Sequence, residues 1–179
     1  MENLKDRRLW VMVGIPASGK STFIATHNNF FNERKAVISR DDIRFSMIKE
    51  GDSYFSKEKE VFAEFIRQIK ESLNKNVDTI VDATHISPSS RGKLLRALGD
   101  SLKKTQVNAI VIKVPLDVAL ERNKLRDGLK VVPDSAIINM DTQYSDPTLE
   151  EGFDNIWIKE GETYLYHKPI WKIIRKEDT

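Results

Sequence analysis

Apolar residues fall into two kinds of pattern. Leu9 to Val13 is a short continuous apolar run ending at glycine, the signature of a buried strand. Comparable runs occupy Ala36 to Ser39, Asp78 to Asp82, Val107 to Val114 and Asn155 to Lys159, and a weaker strand-like run lies around Trp171 in the tail from Tyr164 to Lys176. Between them, helical spacing takes over. Val61, Phe62, Phe65, Ile66, Ile69 and Leu73 recur at three- and four-residue intervals, predicting a helix over Ser56 to Leu73, with Ser56 as N-cap and Lys59 where a capping box wants Glu. Lys20 to about Asn29 and Asp41 to Lys49 also read as helices, the latter carrying Ile43, Met47 and Ile48 on one face and broken at Gly51-Asp52-Ser53. Ser87-Pro88 opens a further helix, Ser as cap and Pro in the first turn. Leu116 to Arg126 is helical and stops at Gly128; Pro133 opens the next helix, through about Gln143. Asp146-Pro147 starts a loop, and Gly99 to Lys104 reads as a helix end and turn.

Strands alternating with helices predict βαβ units and an α/β fold, with a mostly parallel sheet covered by helices on both faces. At 179 residues the chain suits one compact domain, with no repeat or low-complexity tract. No run of roughly 18 apolar residues is present, and Met1 to Arg8 is too polar for a signal peptide, so no membrane segment is expected. The absence of cysteine excludes disulfides and thiolate metal sites and fits a cytoplasmic protein. His27, His85 and His167 are too far apart for a local ligand pair. A net charge of +2 gives no strongly basic footprint, although a local Arg/Lys groove would suffice for a short strand of nucleic acid.

The chemistry begins where the first strand ends. Gly14-Ile15-Pro16-Ala17-Ser18-Gly19-Lys20-Ser21 matches the phosphate-binding Walker A pattern in full, between a strand and a helix. Its glycines let backbone N–H groups turn toward phosphates, and the helix N-terminus adds a positive dipole end. Gly14, Ala17, Ser18, Gly19 and Thr22 therefore belong to the cradle, Lys20 is the charge for the β and γ oxygens, and the Ser21 hydroxyl is a Mg²⁺ ligand. Average residue frequencies put a chance match below roughly 1 in 100 chains of this length, so a nucleoside triphosphate with Mg²⁺ is the expected ligand.

Two further groups sit at predicted carboxyl ends of strands, where open parallel sheets bind ligands. Asp82 ends Thr79-Ile80-Val81-Asp82 and could hold Mg²⁺ directly or through water; the plainer reading is a loop carboxylate capping the next turn. In Arg40-Asp41-Asp42-Ile43-Arg44, Asp41 is the better candidate for accepting a proton from an attacking hydroxyl, and Asp42 can cap the helix; the plainer reading makes both helix-start acids. Arg122 and Arg126 share one face of a predicted helix–loop–helix, the arrangement of a lid carrying cations to a transferring phosphate, against a solvated basic face as the ordinary alternative. Trp10 is expected at a sheet edge or in the core, and Trp157 and Trp171 are expected to pack rather than to stack a base.

Together, Gly14 to Thr22, Arg40 to Arg44, Asp82-Ala83-Thr84-His85-Ile86-Ser87-Pro88, and Arg122-Asn123-Lys124-Leu125-Arg126 with Val132-Pro133 resemble, in order and over most of the chain, the kinase domain of phage-type polynucleotide 5′-kinases. Asp146 to Phe153 looks like a segment of the related animal DNA-end kinase. The resemblance implies a P-loop kinase fold with an Arg-bearing helical lid, and ATP-dependent transfer to the 5′-hydroxyl end of DNA or RNA. It implies Asp41 as general base, Arg44 on the acceptor's 3′-phosphate, Asp82 and Thr84 on the acceptor side, and Arg122 and Arg126 on the donor phosphates; the Asp82 assignment competes with the Mg²⁺ reading. The sequence departs from the phage enzyme in ending after the kinase segment, without a phosphatase half, and in carrying His85 where that motif has an amide. Similar motifs occur in kinases of small metabolites, so a small-molecule hydroxyl acceptor is the alternative. A regulatory module that hydrolyses the nucleotide without transfer is a third, disfavoured by the Asp41/Arg44 pair, which a switch does not need.

Overall fold

A computed structural model describes residues 7–160 and 170–178. β1 (Arg7–Val13), β2 (Lys35–Ser39), β3 (Asp78–Asp82), β4 (Thr105–Ile112), β5 (Asn155–Glu160) and β6 (Ile170–Arg175) form one sheet. Its order is β2-β3-β1-β4-β5-β6, parallel except for β6, which runs antiparallel along β5. The helices are α1 (Lys20–Thr26), α2 (Arg40–Met47), α3 (Glu58–Asn74), α4 (Pro88–Leu98), α5 (Leu116–Lys124) and α6 (Asp134–Thr142). The part of the expected tail strand at 164–169, with His167, and the N-terminal residues 1–6 lie outside the described residues.

Strand alternation assigns each side of β1 to its own core. Leu9, Val11 and Val13 pack with Val107, Ala109, Val111 and the apolar face of α3; Trp10 and Met12 pack with Ile110, Ile112, Phe23 and Phe31. Along α3, Val61, Phe65, Ile69 and Leu73 are fully buried, the helical stripe read from the sequence. Burying each stabilises the fold by about 1.5–3 kcal/mol. A third, smaller cluster of Ile15, Ile86, Ala119 and Ile137 seats α5 and α6 beside the phosphate loop. Both faces of the sheet are thus covered.

The differences are local. α3 begins at Glu58 after Lys57, with no side-chain cap, so Ser56 is not its N-cap. α1 ends at Thr26, three residues early, because the chain turns to send Phe30 and Phe31 into an aromatic cluster with Trp10 and Phe23. Trp157 and Trp171 pack against the same cluster, as expected. Ser87 caps α4 as read, with Pro88 in the first turn.

Asp78 opens β3 as a buried carboxylate held by both ends of a fork from Arg8 (2.9 and 2.7 Å), by Trp10 Nε1 (3.3 Å) and by the backbone and side-chain amides of Asn32 (2.9 and 3.1 Å). A buried charge needs such a full complement of donors. It pins the pole of the sheet opposite the phosphate loop.

Candidate active site

The loop after β1 is held in a shape that few residues permit. Gly14 has φ +155°, and a methyl there would meet Ile112 O at 2.6 Å and Ser18 Oγ at 2.7 Å. Gly19 has φ +100° and lets α1 begin with its N–H groups facing the cleft. Gly14 N–H donates to Thr84 O at 2.9 Å, tying the loop to the end of β3.

Lys20, the first residue of α1, is buried, and its ammonium donates to Gly14 O (2.9 Å), Ile15 O (2.8 Å) and Ser18 Oγ (3.4 Å). Burial lowers its pKa to about 8; Asp82 pulls it up, Arg126 pushes it down and Asp41 pulls it up again. These opposing charges locate the site. Asp82, Arg126 and Asp41 come from three separate segments, and all act on one ammonium. Ser21 Oγ donates to Asp82 Oδ2 at 2.8 Å. Burial raises the Asp82 pKa against the pull of Lys20 and this hydrogen bond.

On the opposite wall, Ser39 ends β2 and caps α2, its Oγ accepting from Asp42 N at 3.2 Å. Ser39, rather than Asp42, is therefore the cap, because the capping position falls at the strand's last residue. Asp41 faces the cleft with its carboxylate half-exposed, while Arg44 one turn on is buried. Arg44 Nη1 donates to Asp41 Oδ1 (2.7 Å) and to Tyr54 Oη (2.9 Å), and Nη2 donates to Glu58 Oε2 (2.6 Å). Tyr54 Oη donates to the same Asp41 Oδ1 at 2.7 Å. Burial works against the Arg44 charge, but the Glu58 hydrogen bond and the neighbouring Tyr54, Glu58 and Asp41 outweigh it and raise its pKa. Glu58 also accepts from Arg40. Oδ1 of Asp41 thus accepts two hydrogen bonds, while Oδ2 accepts none among the described residues.

The lid arginines approach from the other side. α5 carries Arg122, whose Nη1 lies 4.0 Å from where a Cβ on Gly19 would stand. Arg126 lies just past the helix end at Lys124, in a turn closed by its N–H to Asn123 O (3.1 Å). The buried Asn123 holds the following turn, donating to Val132 O (2.6 Å) and accepting from Val132 N (3.0 Å). Lys20, Ser21, Thr22, Asp41, Arg44, Asp82, Thr84, Arg122 and Arg126 all line one cleft of about 1850 Å³.

His85 does not line it. The imidazole is buried against Phe65, Nδ1 3.1 Å from Met12 O, and burial lowers its pKa to about 4. The neutral ring donates that hydrogen bond, with the backbone at φ +43°. Sequence reasoning missed Tyr54, Glu58 and Asn123 as supports of the site. Local patterning contains no signal for the first two, whose partners lie 13 and 14 residues away across a helix–helix junction.

The adjacent oxygens of Ser21 and Asp82 are hard donors of the kind Mg²⁺ selects, and as ligands the pair would leave the remaining positions to water and phosphate. Among the described residues no group of three or more His, Asp or Glu side chains forms a metal cage, and no helix is long and apolar enough to cross a membrane.

Sheet order, phosphate loop and helical lid define a P-loop nucleotide-binding domain of the kinase type. Residues 9–147 match the AAA domain family, and the chain belongs to it. No curated protein matches it. Among solved structures it is similar to a chain of the Pnkp1/Rnl/Hen1 RNA repair complex (25% identity, TM-score 0.57, covering 76% of this chain and 43% of that one). It is also similar to Kti12 of Chaetomium thermophilum in complex with ADP-AlF3 (18% identity, TM-score 0.62, covering 84% and 87%). A sugar kinase from Janibacter sp. HTCC2649 shares 18% identity at TM-score 0.53, covering 85% and 84%. The last two likenesses are of fold alone. The chain spans about two fifths of the length of the repair-complex chains it matches.

Proposed function

We propose that this protein is an ATP-dependent polynucleotide kinase that phosphorylates 5′-hydroxyl ends of DNA or RNA. One observation carries the reading: a half-exposed carboxylate, Asp41, fixed by Arg44 and Tyr54, faces the phosphate-loop lysine across a single cleft. A nucleotide switch needs no such acceptor base. The order of motifs supports a polynucleotide acceptor, as does the likeness to a chain of an RNA repair complex.

The roles follow from position. Gly14, Ala17, Ser18, Gly19 and Thr22 cradle the donor phosphates, and Lys20 turns from the loop carbonyls to the β and γ oxygens. Ser21 and Asp82 would hold Mg²⁺, which when bound would supply charge neutralisation on those oxygens. Asp41 Oδ2 accepts the proton of the attacking hydroxyl as its oxygen bonds to the γ-phosphorus and the bond to ADP breaks. Arg122 and Arg126 bear on the charge that develops, and the lid excludes water. Thr84 borders the acceptor. Arg44 orients Asp41, and would meet an acceptor 3′-phosphate by exchanging one of its present bonds.

The test uses γ-labelled ATP, Mg²⁺ and a 5′-hydroxyl oligonucleotide beside a 5′-phosphate control. Label on the hydroxyl strand alone, reduced at least about 10²-fold in Asp41→Asn while ATP still binds, is the expected result. No label with ATP bound directs the search to small hydroxyl acceptors, the second reading. Hydrolysis independent of any acceptor would point to a regulatory nucleotidase.

A further inference from the structure

We propose that Phe55 is a stacking platform for the terminal nucleobase of a single-stranded acceptor, an inference that rests on the polynucleotide reading above. Phe55 stands in the turn between α2 and α3 and is 65% exposed. Scattered exposed apolar residues are ordinary, but this ring is set apart by what holds it. It meets the Tyr54 ring edge-on, with centroids 4.8 Å apart and planes at 84°, and Tyr54 in turn is edge-on to Phe45 at 6.2 Å. The Arg44 guanidinium carbon lies 5.7 Å from the Phe55 centroid. Tyr54 and Arg44 are the two groups that donate to Asp41 Oδ1. The exposed ring is therefore fixed to the two groups that hold the base, Tyr54 and Arg44.

The surroundings select the ligand class. Phe55 lines the same cleft as Lys20 and Asp41, and so do Leu129 and Val131 of the lid, themselves 64% and 45% exposed. At about 1850 Å³ the cleft exceeds the roughly 300–1,000 Å³ of a site for one small ligand, leaving room for a second substrate beside a triphosphate. The polar side chains of the cleft could hold a sugar, but the exposed faces of Phe55, Leu129 and Val131 offer it no hydrogen bond and would go unused. A nucleobase offers a flat π-face, and stacking on an aromatic ring holds single strands without regard to sequence. A terminal base on Phe55 would place its nucleotide in the cleft that Asp41 also lines.

The experiment compares wild type, Phe55→Ala and Phe55→Trp on a 5′-hydroxyl oligonucleotide and on the same strand made abasic at its 5′-terminal nucleotide. Phe55→Ala should raise KM for the intact strand about 5- to 100-fold, the scale of one base–aromatic stack. KM for ATP should stay within about twofold, the abasic strand should be used equally by wild type and Phe55→Ala, and Phe55→Trp should restore the intact-strand KM. The exposure of Phe55 makes the replacements compatible with folding. Phosphorylation by wild type with unchanged KM in Phe55→Ala, or equal losses on both strands, overturns the platform and leaves the kinase reading standing. Failure of wild type to phosphorylate either strand overturns the polynucleotide reading and the platform together.

Discussion

Ser21 Oγ donates a 2.8 Å hydrogen bond to Asp82 Oδ2, joining the second residue of α1 to the last residue of β3. Burial holds the Asp82 pKa above its ordinary 3.8. A carboxyl raised on folding contributes stability below that ordinary value and loses it as pH rises through the folded one, so at neutral pH the ionised group costs stability. Asp82→Asn keeps an acceptor for Ser21 and removes the charge. The variant should melt about 2–4 °C higher than wild type at pH 7.5 without nucleotide. That gap should close as pH falls toward 4, and Mg²⁺ with ATP should stabilise only the wild type. Thermal melts across pH, with and without the ligands, measure all three.

Lys20 carries the opposite sign. Its pKa falls from 10.5 to about 8, chiefly through burial, so the unfolded chain holds the proton between those values and the folded protein does not. Stability from this group is present above 10.5 and is lost as pH falls through 8. Relative to Lys20→Met, wild type should gain stability on going from pH 8 to 10.5, with no such trend below pH 7. Paired denaturant titrations at stepped pH would show it. A constant difference across the window would mean that the ammonium keeps its charge throughout.

Tyr54 is raised to about 12 by burial and by its hydrogen bond to Asp41, so it stays protonated and keeps donating across the working range. Tyr54→Phe retains the ring under Arg44 and removes only the hydroxyl. The expected outcome is a fall in kcat of about 10-fold, one hydrogen bond to a charged group, with KM for ATP unchanged. A larger effect on KM for ATP than on kcat would assign Tyr54 to the donor site instead.

What could be read in advance followed the range of the interactions. β1, the phosphate loop and the stripe on α3 are encoded within a few residues of themselves: Leu9 to Val13 and Val61 to Leu73 stand where the apolar pattern put them, and Gly14 to Ser21 where its motif did. Boundaries slipped where tertiary contacts overrode local preference, as when Phe30 and Phe31 ended α1 early to join Trp10. Asp41 was a candidate because of its strand end, yet nothing near it in sequence names Tyr54 or Glu58, since their contacts depend on how α3 crosses α2. The segment from Asp146 to Phe153, otherwise only a loop, has its reason in Arg91, which no pattern marked.

Arg91 is fully buried beneath that segment. Nε and Nη2 form a fork on Glu151 (2.7 and 2.8 Å), Nη1 donates to His85 O and Ser145 O (both 3.0 Å), and Nη2 donates to Asp146 O (3.3 Å). Arg91→Met would strand a largely buried carboxylate and three carbonyls at once. Removing one partner of a buried pair costs about 3–5 kcal/mol, whereas exposed pairs contribute about 0–1 kcal/mol. Arg91→Met should therefore lower Tm by roughly 10 °C, while Asp100→Ala, which breaks the solvent-exposed pair with Lys103, should lower it by no more than about 4 °C. Adding Glu151→Leu to Arg91→Met should recover part of the loss, because the stranded carboxylate goes with it. The Arg91 staple also sets the end of β3 through His85 O, next to Thr84 and Asp82. The single variant should thus lose ATP affinity at temperatures where it is still folded, and equilibrium binding below its melting transition tests that coupling directly.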